Sequence, residues 1–76
     1  MNVAQKAELK RIFNSLEEAK SELETMHQSL EEVLEDKSDK WRESEAGEQA
    51  QAELDNIQES MDSIESACDK LQEYTS

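Results

Sequence analysis

Residues 37 to 47, KSDKWRESEAG, interrupt the one pattern that the rest of the chain keeps. Before the interruption apolar residues recur every seven positions. Leu9, Leu16, Leu23 and Leu30 form one series, and Ile12, Ala19, Met26 and Val33 form another. These are the a and d positions of a heptad repeat. After it the repeat resumes, with Leu54, Met61 and Cys68 at a and with Ala50, Ile57, Ile64 and Leu71 at d. Traced backwards, this second a series reaches Gly47. Carried through the interruption, the first series would put Lys37 and Lys40 in a core, so a single continuous seam is excluded and the chain must turn.

The implied fold class is all-α: an antiparallel two-helix hairpin of coiled-coil type. Helix 1 is expected over about 3–36, the turn over about 37–43 and helix 2 over about 45–74, in a single domain, 1–76. Setting a against d across the fold gives one register in which facing residue numbers sum to 80 and the turn centres on Lys40. Its layers run from Leu9 with Leu71, through Ile12 with Cys68 and Leu16 with Ile64, to Val33 with Gly47. Near the turn helix 2 offers only Ala46, Gly47 and Ala50 against Leu30, Val33 and Leu34. Trp41 is expected to fold back into the room this leaves, with Gly47 allowing close packing. Ser44 is the expected N-cap of helix 2, because Glu45 and Glu48 then occupy its first turn; Ser38 competes.

Composition excludes most other classes. The 76 residues include no proline, one glycine and a single Trp, Tyr and Phe, while 37% are charged, which leaves little from which to build a sheet. Twenty acidic residues against eight basic ones give a net charge of −12. Such a chain repels phosphate backbones and anionic headgroups, so no direct nucleic-acid or membrane partner is expected. No stretch has the pattern of a signal peptide or the apolar length of a membrane span, which leads to an expected cytoplasmic location. The one cysteine, Cys68, cannot form an internal disulfide.

Two helices of this size have little core to share, and helix 1 carries Phe13 and Leu34 at e positions beside its a and d series. A second copy that buries Phe13 and Leu34 in an antiparallel four-helix bundle is the expected assembly. Binding to a different protein is the alternative.

The chemical motifs are few. Glu24 and His27 share the Glu-x-x-His spacing of helical di-metal sites, but the repeat puts them at b and e, at or outside the core edge, so a boundary histidine is expected and no metal. DKSDKWRESEAG has the length of a calcium loop, yet Lys40 and Trp41 stand where a ligand and glycine belong, and Gly47 where the bidentate Glu belongs. Cys68 reads as a small core hydrophobe facing Ile12. With no phosphate-binding loop and no nucleophile–base arrangement, neither catalysis nor a cofactor is expected. The charge layout is more informative. Residues 1–14 hold Lys6, Lys10 and Arg11 against Glu8, whereas Glu48, Asp55, Asp62 and Asp69 recur at b in helix 2, flanked by Glu45 and Glu59 at f. This acidic face, with Trp41 at its end, is the candidate partner-binding surface. It either keeps the protein soluble or occupies a basic surface on another protein as a decoy.

The segment DKWRESEAGEQAQAELDNIQESMDSIESACDKL resembles the second half of small helical-hairpin proteins encoded by phages and mobile elements. A large apolar turn residue followed by a Glu-Ser-Glu-x-Gly-Glu type stretch carries the resemblance, here Trp41, Glu43, Ser44, Glu45, Gly47 and Glu48. The proline often found in such turns is absent. The resemblance implies a phage-type accessory protein that acts on a host protein, with no catalytic residues. Three functions are therefore expected in turn: a non-enzymatic interaction module that inhibits a host protein, an acidic nucleic-acid mimic that blocks a basic groove of a defence machine, and a secreted hairpin of the WXG100 kind. Against the last, five residues separate Trp41 from Gly47 where that group has one between them.

Overall fold

The computed structural model describes residues 1–75. Its elements are α1 (Val3–Glu35), α2 (Asp39–Glu43) and α3 (Glu45–Thr75), with no strand among the described residues. Each boundary has a local chemical cause. At the start of α1, Asn2 accepts from the Gln5 N–H at 2.8 Å while the Gln5 side chain accepts from the Asn2 N–H at 3.0 Å, a reciprocal capping box. At its end the Arg42 guanidinium donates to the carbonyls of Leu34 at 3.1 Å and Glu35 at 2.7 Å, closing off acceptors that a helix C-terminus leaves open.

The segment expected to be a plain turn contains the one-turn helix α2, and both candidate serines act as caps. The Ser38 hydroxyl accepts from Trp41 N–H at 3.2 Å and starts α2. Ser44 ends α2 through its N–H to the Trp41 carbonyl, 3.0 Å, and its hydroxyl accepts from Gly47 N–H at 3.3 Å at the start of α3. That hydroxyl also donates to the Trp41 carbonyl.

Helices of 33 and 31 residues would each measure about 50 Å at 1.5 Å per residue, yet the whole chain is 58 × 15 × 14 Å. The two long helices therefore lie side by side. Lys20 bonds to Glu65, and further along Leu34 shares a cleft with Gln51 and Leu54, so residue numbers fall along α3 as they rise along α1.

The seam differs from the expected one in two ways. First, α1 is rotated. Its shielded positions follow a and e, namely Leu9, Phe13, Leu16, Lys20, Leu23, His27, Leu30 and Leu34, joined by Ala19. The d residues expected in the core stand open instead, with Ile12 38%, Met26 54% and Val33 53% exposed. Second, the register is offset by about one helical turn. Numbers summing to 80 set Cys68 beside Ile12, whereas Glu17 and Lys20 are the α1 groups that act on its thiol. They set Lys20 level with Ser60, whereas its ammonium lies 3.6 Å from Glu65.

The physical reason for the offset is α2. It occupies the space beside Gly47 in which the expected register places Val33. A Cβ built on Gly47 would meet the backbone carbonyl of Arg42 and, at 2.5 Å, that of Trp41. Gly47 is thus required by a close backbone crossing. The indole of Trp41 is half-buried with the Lys37 ammonium 5.2 Å from its ring centroid. Trp41 therefore contributes its carbonyl to the crossing at Gly47, while its ring carries the Lys37 ammonium over its face.

Candidate interaction surfaces

The helix pair presents three surfaces. On the e and b side of α1, Lys20, Glu24, His27 and Glu31 line a shallow groove of about 400 Å³ with Gln58, Met61, Asp62 and Glu65 of α3. His27 Nδ1 lies 3.2 Å from Glu31 Oε1 and Lys20 closes the other end on Glu65, so the polar groups here satisfy one another. Glu24 and His27 do share this groove. Among the described residues, however, no three His, Cys, Asp or Glu side chains converge as metal ligands would.

The acidic row occupies the outer side of α3. Glu45, Glu48, Asp55, Glu59, Asp62 and Asp69 are all exposed. Two of its carboxylates are held by glutamines one turn earlier, Gln51 Nε2 to Asp55 at 3.2 Å and Gln58 Nε2 to Asp62 at 3.1 Å. Positions 51 and 58 thus keep successive carboxylates about 10 Å apart along the helix.

The third surface lies outside the expected pattern. Opposite the polar groove, the open Ile12, Met26 and Val33 of α1, with the half-buried Ala19 in the same row, lie on the same side as Ala50, Ile57, Ile64 and Leu71 of α3, which are also only half-buried. Not one residue of α1 is buried, its four heptad leucines included. By contrast α3 buries Gly47, Leu54, Met61 and Cys68. The expected dimer contacts lie elsewhere: Phe13 and Leu34 belong to the half-buried seam series, and Leu34 lines a cleft with Leu54 of the same chain. A signal for the open face is present in the sequence. A helix with apolar residues at a, d and e has more stripe than one neighbour can cover, and one edge of that stripe is left uncovered.

Cys68 is buried at the α1–α3 seam. Burial pushes its thiol above the ordinary value of 9.0, Glu17 adds to the rise, and Lys20 opposes it. A protonated, enclosed thiol is a poor nucleophile. No helix among the described residues is long and apolar enough to cross a membrane. No protein-family model, no curated protein and no solved structure matches the chain.

Proposed function

We propose that the chain is a non-enzymatic protein–protein interaction module: a helical hairpin that joins a second copy through its open apolar face in a four-helix bundle and turns its acidic α3 row outward towards a basic surface of another protein. The observation that carries this reading is the absence of any buried residue in α1, although that helix repeats leucine four times at heptad spacing. Contiguous apolar surface of this extent marks an interaction site in a water-soluble fold. The resemblance of the second half to phage-encoded hairpins makes a host protein the partner class to try first.

Sedimentation equilibrium at micromolar concentration tests the assembly. A mass twice the 8.7 kDa of the chain is expected, with a thermal midpoint that rises with concentration. An 8.7 kDa species with a concentration-independent midpoint would remove the dimer.

A second reading, an acidic mimic of nucleic acid, draws on the two glutamine-held carboxylates, which give the row a fixed spacing. Changing Glu48, Asp55, Asp62 and Asp69 to their amides leaves the apolar seam intact. Under this reading the quadruple variant loses its partner, and added DNA or RNA displaces the parent protein from it. Undiminished binding without competition would leave the row a solubilising one.

A further inference from the structure

The leucine column of α1 belongs to two heptads at once. Taken with the residues three places after each leucine, Leu9, Leu16, Leu23 and Leu30 share a seam with Ile12, Ala19, Met26 and Val33. Taken with those four places after, they share one with Phe13, Lys20, His27 and Leu34. The two seams are centred about 50° apart, so a modest turn of α1 about its own axis exchanges them. The buried column of α3, Gly47, Leu54, Met61 and Cys68, can serve either one. We propose that the Lys20–Glu65 pair is a conformational latch: it selects the seam seen in the structure, and breaking it lets α1 turn its Ile12–Val33 row in against α3.

Apolar burial does not make this choice. In the end layers Phe13 and Leu34 are matched by Ile12 and Val33, which are apolar as well. The two middle layers favour the other seam. There the structure half-buries Lys20 and His27, while the apolar Met26 is left 54% exposed. Shielding polar groups in place of apolar ones costs free energy unless they find partners, so pairing must offset it.

Only one of the two pairings can distinguish the seams. His27 takes its partner, Glu31 at 3.2 Å, from its own helix, and that contact turns with α1. Lys20 reaches across to α3, where its ammonium lies 3.6 Å from Glu65 with the lysine side chain 28% exposed. Among the described residues this is the one ion pair that joins α1 to α3. The same ammonium opposes the rise that burial and Glu17 impose on the Cys68 thiol, so its charge acts on the interior of the seam. A polar group at one seam position is a known means of fixing register in a coiled coil at some cost in stability.

The test uses the full chain with Cys68→Ala and one reporter cysteine at a time, dilute enough that no second copy shields it. Met26→Cys reports the open row and Leu34→Cys the half-buried seam. Lys20→Glu sets a carboxylate against Glu65. Alkylation of the cysteine at 26 by iodoacetamide should then slow about threefold, as two-thirds of the chains turn, while that of the cysteine at 34 quickens. Adding Glu65→Lys restores opposite charges and should return both rates to those of the parent. Lys20→Gln, which removes the charge without creating repulsion, should move both rates in the same directions by less. If both reporters quicken, the pair holds the helices together and does not choose their seam. If neither moves, the Arg42 clasp at the closed end sets the rotation. Either result overturns the proposal, as does a charge swap that fails to restore the parent rates.

Discussion

Replacing a helical glycine by alanine ordinarily stabilises a protein by about 1 kcal/mol. At Gly47 the opposite is expected, because the added Cβ meets backbone carbonyls that cannot rotate away. Gly47→Ala should destabilise the fold by about 1–3 kcal/mol, the range for overpacking, as read from the urea midpoint at unchanged slope. Arg42→Met keeps most of the stem but strips both hydrogen bonds from the end of α1. A loss of about 1–2 kcal/mol should follow, and amide exchange should quicken in the last turn of α1 first. For Cys68 the sign follows from the direction of its shift. The folded thiol holds its proton more tightly than the unfolded one, so its contribution is complete below the ordinary thiol value of 9.0 and declines as pH rises through the elevated folded value. Stability of the parent should therefore fall more steeply above about pH 9 than that of Cys68→Ala, and native Cys68 should alkylate far more slowly than the unfolded thiol.

At the level of elements, the helices are legible in the sequence because the heptad repeat is unbroken outside residues 37–47 and because asparagine and serine caps stand at their starts. The rotation of α1 is not. Apolar residues at a, d and e define two possible seams centred about 50° apart, a/d and a/e, and a repeat read on one helix contains no information about which edge its neighbour covers. The register slips for a related reason. The expected turn has no length of its own along the bundle axis, whereas the structure inserts a full helical turn there, and that turn displaces α3 relative to α1. The acidic row is readable in full, since b and f positions point away from the seam under either choice. The rotation can be checked directly. Leu34→Ala should lower the stability of the single chain by about 1–2 kcal/mol, because Leu34 lines the cleft with Leu54. Met26→Ser should leave the single chain nearly unchanged and act only on self-association. Urea titrations at concentrations well below and well above the dimer midpoint separate these effects, and the reverse pattern would restore the a/d seam.

For the molecule as a whole, a charge of −12 per copy means that association works against repulsion between two acidic bodies. Added salt should therefore tighten the proposed dimer, whereas the proposed binding of the acidic row to a basic partner should weaken in the same titration. A single series of sedimentation and binding measurements across ionic strength distinguishes the two surfaces. The clasp at the closed end has a kinetic consequence as well. Arg42 grips the end of α1 while the carbonyls of α2 cover the first turn of α3, so the tightest contacts join residues that are near one another in the chain. Closing so short a loop takes well under a microsecond, and each later layer then adds to a neighbour already in place. Such a molecule is expected to fold like a zipper pulled from one end. Substitutions at Arg42 or Gly47 should slow folding, whereas Leu9→Ala or Leu71→Ala, at the open end, should mainly hasten unfolding.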